Sequence, residues 1–315
     1  MRAVHLESKR VEVREVPTPE RPQGFALIRL VRAGICNTDL ELQRGYYGFA
    51  GTPGHEFVGE VVECDSPELK GKRVVGEINL GCGDCEWCWR DLGGHCPERT
   101  VLGIVRHPGA FAEFLTLPEK NLHVLPETLA TDEAVFVEPL AAACRILDQV
   151  DFWTRQPIAV LGDGKLGLLI GMALQAKGAR VYLFGRHAEK LRIAESAGIT
   201  TQVGGAPIAA YEIVVDATGS ADGLRQAVRM ARPRGIVIMK STIYGAPPID
   251  MAAVIVNEIK LVGSRCGRFE PALELLTSGK VRVADMISDR FSLGDAPRAF
   301  ERAAEKGVLK VLLEP

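Results

Sequence analysis

Four cysteines close together in the sequence are the clearest sign of chemistry in this chain. Two residues separate the first cysteine from the second, two separate the second from the third, and seven separate the third from the fourth. They are Cys82, Cys85, Cys88 and Cys96. A tetrahedral zinc with four thiolate ligands is a closed structural site, because it keeps no position open for a substrate. The spacing therefore predicts a structural zinc lobe over residues 81–97, with an iron–sulfur cluster as the alternative that also uses four cysteines.

A second group of soft and acidic side chains suggests another metal site. Cys36 follows an apolar, strand-like run, and His55 and Glu56 precede another. Glu138 lies in the apolar run Phe136–Leu140, where burying an unpaired carboxylate would be costly. Thiolate, imidazole and carboxylate are all zinc ligands, and a catalytic zinc leaves one position exchangeable. A catalytic zinc is one interpretation, and structural side chains, with Glu138 as a salt-bridged helix acid, are the other.

A glycine-rich turn marks a candidate cofactor site. It follows the apolar run Ile158–Leu161 and precedes a helical pattern, which is the setting that a dinucleotide-binding turn requires. The turn consists of Gly162, Asp163, Gly164, Lys165, Leu166 and Gly167. Its first glycine allows the tight turn, the second lets the backbone approach a pyrophosphate, and the third permits close packing of helix on strand. Because the helix N-terminus attracts the anion, we predict that a nicotinamide dinucleotide binds here.

The end of the next strand predicts which nicotinamide cofactor is preferred. NAD sites usually carry Asp or Glu about 20 residues after the turn, bonded to the ribose hydroxyls. After the strand-like run Val181–Phe184, that position holds Gly185, and Arg186 follows. Without the acid there is less repulsion of a 2′-phosphate, and a guanidinium can bind it through two hydrogen bonds. We therefore expect NADP in preference to NAD; the alternative is a solvated surface arginine, with the ribose contacts made elsewhere.

Length and composition limit the classes of protein that could hold these sites. The chain has 315 residues, which suggests about two domains. Hydrophobic residues make up 47% and charged residues 25%, as in ordinary globular proteins. A formal charge of −2 argues against nucleic acid or an anionic membrane as the main partner. No apolar stretch approaches the roughly 18 residues of a membrane span, and the N-terminus lacks a signal-peptide core, so we expect a cytoplasmic protein.

Two patterns of elements would position these residues. The first third has short strands rich in Val, Ile and Leu, separated by glycine, proline and charged turns, which is typical of a small barrel or sandwich. From Ile158, near-continuous apolar strands alternate with helices, which predicts a parallel sheet covered on both faces. Helical patterns at Pro271–Ser278 and Ala296–Glu305, and a last strand at Val308–Leu313, follow the parallel sheet.

Taken together in order, these motifs resemble the zinc-dependent medium-chain dehydrogenase/reductase family, which includes alcohol, sorbitol and threonine dehydrogenases. The motifs are Cys36-x-Thr38-Asp39, Gly54-His55-Glu56-x2-Gly59, the four-cysteine lobe, Glu138-Pro139-Leu140-Ala141 and the glycine turn. The resemblance covers essentially the whole chain. It implies an α/β protein with a GroES-like β-barrel catalytic domain over residues 1–139 and 268–315. Residues 140–267 would form a Rossmann coenzyme domain with a doubly wound parallel sheet.

The resemblance also implies a ligand set for the catalytic zinc. Cys36 and His55 match zinc ligands, and Glu56 and Glu138 match carboxylates that ligate or approach zinc in the sorbitol and threonine branches. Many alcohol dehydrogenases have cysteine at the place of Glu138, so this residue favours the polyol-type branch. If Cys36, Glu56 and Glu138 were all ionised ligands, their charges would outnumber those of zinc. We therefore expect one carboxylate to stay off the metal.

Three further roles near the metal are implied by the same resemblance. Thr38 matches the hydroxyl that contacts the substrate alcohol, and Asp39 matches the acid that orients the ligating histidine. Glu41 stands where some relatives carry a relay histidine, and is either a replacement relay or an ordinary surface acid. Lys240-Ser241-Thr242 ends a predicted strand and is a candidate lining of the nicotinamide pocket.

The predicted reaction is reversible oxidation of an alcohol or polyol by hydride transfer to NADP, or to NAD. It requires about two zinc ions per chain, one catalytic and one structural. The partner would be a small-molecule alcohol, and the family implies a homodimer or homotetramer. The alternatives are a quinone or enone reductase without catalytic zinc, and a nicotinamide-binding sensor protein that keeps only the structural zinc.

Overall fold

Two compact units make up the chain. The computed structural model describes residues 1–151, 156–241 and 249–315, so Thr242 of the predicted nicotinamide lining lies outside the described residues. The first unit joins Met1–Glu138 to Ile287–Pro315, and the second is Pro139–Met286. The division falls within one helix, directly after Glu138.

The elements are numbered in chain order. The strands are β1 (Arg2–Glu7), β2 (Arg10–Glu15), β3 (Phe25–Gly34), β4 (Glu56–Glu63), β5 (Arg73–Gly76), β6 (Asn79–Leu80), β7 (Thr100–Leu102), β8 (Arg106–His107), β9 (Phe114–Pro118), β10 (Leu122–Val124), β11 (Ile158–Leu161), β12 (Val181–Gly185), β13 (Thr200–Val203), β14 (Tyr211–Asp216), β15 (Ala231–Met239), β16 (Lys260–Gly263), β17 (Ile287–Ser292) and β18 (Lys310–Glu314). The helices are α1 (Asn37–Gln43), α2 (Glu86–Trp89), α3 (Thr131–Ala134), α4 (Val137–Gln149), α5 (Lys165–Ala176), α6 (Ala188–Ser196), α7 (Ala221–Met230), α8 (Met251–Val256), α9 (Phe269–Thr277) and α10 (Ala296–Ala304). Within the described ranges, no helix has both the length and the apolar character needed to span a bilayer.

The first unit is built on a seven-stranded sheet. Its strands follow the order β10-β5-β4-β3-β18-β17, and β9 also pairs with β3. The last strand, β18, runs antiparallel to β3, with Leu312 opposite Gly34 and Leu313 opposite Ala33. The C-terminal strand therefore completes the sheet that leads into Cys36, as expected for a GroES-like domain. A hairpin of β1 and β2 and a small sheet of β6, β7 and β8 complete the strands of this unit.

The second unit contains a parallel six-stranded sheet in the order β13-β12-β11-β14-β15-β16. All four residues of β11 are buried, as expected for a central strand of a sheet covered on both faces. The chain proceeds from β11 outward to β13 and then returns to β14 on the other side of β11. This reversal creates a crevice at the carboxyl ends of β11 and β14, where doubly wound sheets bind their ligands. The Rossmann topology is confirmed.

The division before β17 lies later in the chain than residue 268, where the family resemblance implied the boundary. Helix α9 falls between the two positions and is anchored within the second unit. Lys177 Nζ lies 3.2 Å from Glu274 Oε1, tying the C-terminal end of α5 to α9. A Cβ atom at Gly267 would lie 2.1 Å from the carbonyl oxygen of Ala141, so the segment before α9 packs directly on α4. These contacts, which no local pattern reveals, place α9 with the coenzyme unit.

Candidate metal centre and cofactor site

One buried carboxylate joins the two segments that carry the predicted catalytic ligands. Cys36 immediately precedes α1, and Asp39 in the first turn of that helix is fully buried. Asp39 Oδ2 accepts a hydrogen bond from the backbone N–H of Cys36 at 2.8 Å. Asp39 Oδ1 accepts one from the N–H of Gly54 at 3.2 Å. The start of α1 is thereby held beside the segment that enters β4.

His55 is buried against the same carboxylate. Its Nδ1 lies 3.4 Å from Asp39 Oδ1, which is an ion-pair distance without hydrogen-bond geometry. Burial of the ring lowers its pKa, but the charges of Asp39 and Cys36 outweigh burial and raise the pKa of His55 well above its ordinary value. Asp39 is therefore placed to orient the ring, and a metal ion binding the imidazole would have to displace a proton.

Glu56 is held by a lysine from the other end of the chain. Both side chains are 1% exposed, and Lys310 Nζ on β18 donates a short hydrogen bond to Glu56 Oε2. The same ammonium lies 5.4 Å from the centre of the Phe136 ring. Glu56 Oε1 is buried and has no hydrogen-bond partner among the described residues. One carboxylate oxygen is therefore neutralised by Lys310, while the other is left for a different cation.

These residues form a group that fits a metal ion. One ligand atom from each of Cys36, His55 and Glu56 lies within 4.8 Å of the others. Buried polar atoms without partners are rare, because each costs free energy unless a ligand or ion satisfies it. The group combines a thiol, an imidazole and a carboxylate, which is a proper donor set for zinc with an open position. The chemistry of the donors therefore fits a catalytic zinc.

The other predicted residues lie at different distances from this group. Thr38 Oγ1 is 3.7 Å from Cys36 Sγ, so its hydroxyl borders the metal group. Glu41 Oε1 accepts a hydrogen bond from Arg44 Nη1 at 2.5 Å, at the C-terminal end of α1. Glu138, near the start of α4, is half-buried and is not a member of the group that Cys36 forms. A metal role for Glu138 remains a prediction.

The four cysteines of the lobe converge without a disulfide bond. Their sulfur atoms all lie within 4.8 Å of one another, with Cys88 Sγ 3.6 Å from Cys85 Sγ and 4.0 Å from Cys82 Sγ. Zinc–sulfur bonds of about 2.3 Å place the sulfurs of a tetrahedral site about 3.8 Å apart, so this spacing fits zinc. A hydrogen bond from the N–H of Cys82 helps to lower the pKa of Cys96 to about 7, which favours the thiolate form.

The glycine turn has the backbone geometry of a phosphate-binding turn. Gly162 has φ +116°, and a Cβ atom there would lie 2.6 Å from a carbonyl oxygen of the segment after β14. A Cβ atom at Gly167 would lie 1.9 Å from the Gly162 carbonyl oxygen, so helix α5 packs closely on the turn. Gly164 faces open space and caps α5, which begins with Lys165 and Leu166. The turn therefore leaves an open approach to the N-terminus of α5.

Asp163 has a role that the motif did not predict. It is 8% exposed, and its Oδ2 accepts hydrogen bonds from the N–H groups of Arg186 at 2.6 Å and His187 at 2.7 Å. A Cβ atom at Gly185 would lie 2.5 Å from Asp163 Oδ2, so the glycine at the end of β12 makes room for this carboxylate. Asp163 and the segment 185–187 line a cavity of about 290 Å³ at the carboxyl ends of β11, β12 and β14.

Lys310 is the other functional residue that sequence reasoning missed. The available signal was a lysine inside the predicted apolar strand Val308–Leu313. A lysine buried in an apolar strand needs a partner of opposite charge, because burying an unpaired ammonium is costly. The sequence alone does not identify that partner, since Glu56 is 254 residues away along the chain.

Comparison with known proteins agrees with both halves of this description. Residues 22–127 match the family described as alcohol dehydrogenase GroES-like domain, and residues 166–278 match the family described as zinc-binding dehydrogenase. L-threonine 3-dehydrogenase of Streptomyces coelicolor is 32% identical in an alignment that covers 95% of this chain and 94% of that protein. The chain belongs to the zinc-dependent medium-chain dehydrogenase/reductase family.

Other members of the family are similar over nearly their whole length. D-arabitol-phosphate dehydrogenase of Enterococcus avium is 28% identical, covering 95% of this chain and 92% of that protein. Alcohol dehydrogenase TADH from Thermus sp. ATN1 superposes with a TM-score of 0.90 at 31% identity, covering 100% of both chains. A Sinorhizobium meliloti 1021 protein, classed provisionally as a zinc-binding dehydrogenase, was solved with NADP bound. It superposes with a TM-score of 0.90 at 30% identity, covering 100% of this chain and 99% of that chain. This member of the family is therefore an NAD(P)-dependent alcohol dehydrogenase with GroES-like and Rossmann domains.

Proposed function

We propose that this dehydrogenase uses a catalytic zinc to oxidise a polyol-type alcohol with NADP. The observation that carries the proposal is the group of Cys36 with the buried His55 and Glu56, whose ligand atoms lie within 4.8 Å of one another. A reductase of quinones or enones without catalytic zinc has no need of such a set. A sensor protein with only the structural zinc has no need of it either.

The charges around the group support zinc with an open position. Lys310 is paired with Glu56, so one of the three negative charges that Cys36, Glu56 and Glu138 would bring to the metal is already offset. With Cys36 as a thiolate and Glu138 ionised, the charges of zinc and Lys310 together balance those of the candidate ligands Cys36, Glu56 and Glu138. A neutral centre tolerates an alcohol that loses its proton better than an anionic one does. Lys310 is therefore the residue that makes the acidic ligand set compatible with this reaction.

Each residue near the metal has a defined task in this proposal. Bound zinc would act as a Lewis acid that lowers the pKa of the substrate hydroxyl. Thr38, whose Oγ1 is 3.7 Å from Cys36 Sγ, would accept a hydrogen bond from the substrate hydroxyl and relay its proton toward solvent, giving up its own proton as it takes that one. Asp39 keeps the His55 ring oriented, and its own bonds to Cys36 and Gly54 fix the spacing of the two ligands. The bound nicotinamide would supply the hydride acceptor.

The preference for NADP rests on the end of β12. No carboxylate projects from position 185, and the Arg186 side chain is exposed beside the cavity that follows the glycine turn. A guanidinium there suits a 2′-phosphate because it can donate two parallel hydrogen bonds to it. The Sinorhizobium meliloti relative with NADP bound supports the same preference.

The names of the relatives support a polyol-type substrate. Their names include dehydrogenases of D-arabitol phosphate, sorbitol, D-altritol and L-threonine. A panel of polyols, polyol phosphates and L-threonine should be offered to zinc-replete protein with NADP and with NAD, following reduced nicotinamide. Zinc-dependent turnover of a polyol class with NADP is the expected result. Turnover of enones by chelator-treated protein would favour the reductase alternative instead.

We expect the working protein to be a homodimer or homotetramer that takes a small-molecule alcohol and neither nucleic acid nor membrane. Light scattering of the zinc-replete protein at assay concentration tests the assembly. A single-chain mass with full activity would contradict it.

A further inference from the structure

The end of β12 is where an NAD site would hold the ribose hydroxyls, and we call it the ribose corner of the cofactor site. A carboxylate lies in this corner although the sequence has no acid at the end of β12. NAD sites carry their acid at the end of the second strand, which is Gly185 in this chain. Asp163 reaches the same corner from the turn after β11, and its Oδ2 stands where a Cβ atom of residue 185 would clash at 2.5 Å. Glycine at 185 therefore does more than remove an acid, because it also admits a different one.

The Asp163 carboxylate is occupied by the segment that it meets. Oδ2 accepts from the N–H groups of Arg186 and His187, and His187 Nδ1 lies 3.0 Å from Oδ2 and 3.2 Å from Oδ1. Burial raises the pKa of Asp163, but these donors outweigh burial and lower the pKa below its ordinary value. The carboxylate is thus ionised, and its Oδ2 is engaged by three nitrogen atoms of residues 186 and 187.

The segment that Asp163 anchors carries the positive charge of this corner. Among the described residues, the Arg186 side chain is exposed and has no ion pair or hydrogen bond. The His187 ring is held against the carboxylate, and His187 immediately precedes α6. Both residues line the cavity of about 290 Å³ together with Asp163. Fixing the two backbone N–H groups fixes the direction in which the Arg186 side chain leaves the backbone.

We propose that Asp163 is a positioning residue that fixes Arg186 and His187 as the binding site for the 2′-phosphate of NADP(H). The proposal rests on the NADP preference put forward above and deepens it. Arg186 would bind the phosphate directly, while Asp163 would act through the backbone of residues 186 and 187 and through the His187 ring.

The sign of the effect separates this role from simple electrostatics. A carboxylate near a phosphate repels it, so removing the negative charge of Asp163 should strengthen phosphate binding if charge alone matters. If Asp163 instead bonds the ribose hydroxyls, its removal should weaken ligands without a 2′-phosphate. A positioning role predicts weaker binding of ligands that carry a 2′-phosphate, because losing the anchor costs the charge-assisted hydrogen bonds of Arg186. It predicts little change for ligands without that phosphate.

The test compares the binding of 2′,5′-ADP and 5′-AMP to zinc-replete protein by calorimetry, so that no catalytic step is involved. Asp163→Asn should weaken 2′,5′-ADP roughly tenfold, the scale expected for losing charge-assisted hydrogen bonds, and leave 5′-AMP within about twofold. Glu189→Gln, which removes an exposed acid in the first turn of α6, is the matched control and should not weaken 2′,5′-ADP. His187→Gln should weaken 2′,5′-ADP selectively, which keeps the proposal testable if Asp163→Asn folds poorly.

A double-variant cycle shows whether Asp163 acts through Arg186. In an Arg186→Ala background, Asp163→Asn should have little further effect on 2′,5′-ADP, because the residue that it positions is gone. Stronger 2′,5′-ADP binding by Asp163→Asn, selective loss of 5′-AMP, or additive effects in the double variant would overturn the proposal. If Arg186→Ala itself weakens both ligands equally, the NADP preference fails rather than the role of Asp163 alone.

Discussion

Replacing Lys310 with methionine should destabilise the first unit strongly. Lys310→Met keeps a long side chain in the strand but removes the ammonium that neutralises Glu56, and both side chains are 1% exposed. Glu56 Oε1 already lacks a partner, so the variant leaves both carboxylate oxygens buried and unpaired. Removing one partner of a buried ion pair costs about 3–5 kcal/mol of the free energy of unfolding. For a unit of this size, that lowers the melting temperature by about 6–20 °C.

The assay is thermal and urea unfolding of chelator-treated and zinc-loaded protein. Zinc loading should reduce the loss, because a divalent cation beside Glu56 replaces part of the missing positive charge. Arg29→Met is the control in the same unit, since Arg29 and Glu60 form an exposed pair 2.8 Å apart, and it should cost at most about 1 kcal/mol. If Lys310→Met is no more costly than Arg29→Met, the Glu56–Lys310 pair does not stabilise the site as we infer.

Three further predictions concern the cofactor site. Gly167→Ala should destabilise the second unit, because its Cβ atom would lie 1.9 Å from the Gly162 carbonyl oxygen. Gly164→Ala should melt like the wild type but bind NADPH more weakly, because its Cβ atom meets open space where the pyrophosphate approaches. Melting curves and NADPH fluorescence titrations distinguish the effects of these two variants. A Gly167→Ala variant as stable as Gly164→Ala would contradict the packing argument. Arg186→Ala should weaken NADPH about tenfold more than NADH, the cost of a bidentate phosphate contact, and equal losses in the same titration would contradict the phosphate assignment.

Features set by local spacing were predictable from the sequence. Strand β11 begins and ends where the apolar run does, at Ile158 and Leu161. The four cysteines converge because the glycines among them let a short loop fold back on itself, so their spacing was enough to predict a metal lobe. The glycine turn was equally clear, since its three glycines stand at the motif spacing directly between an apolar strand and a helix.

Features set by contacts between distant segments were not predictable. Lys310 meets Glu56 across 254 residues, and only the pairing of β18 with β3 brings its strand beside the metal group. Asp163 meets Arg186 because β11 and β12 are neighbours in the sheet, and neither residue signals the other in the sequence. The later division before β17 has the same origin, since α9 is assigned by its packing rather than by its pattern.

Zinc content measured together with turnover tests the central claim most directly. Wild-type protein, Cys36→Ser and Cys85→Ser should be analysed by elemental mass spectrometry and assayed with a polyol and NADP. We expect about two zinc ions per chain in the wild type. Cys36→Ser should lose one zinc and all turnover while still binding NADPH, and Cys85→Ser should lose the other zinc together with thermal stability. A wild type with one zinc, or a Cys36→Ser variant with undiminished turnover, would contradict a catalytic zinc at Cys36, His55 and Glu56.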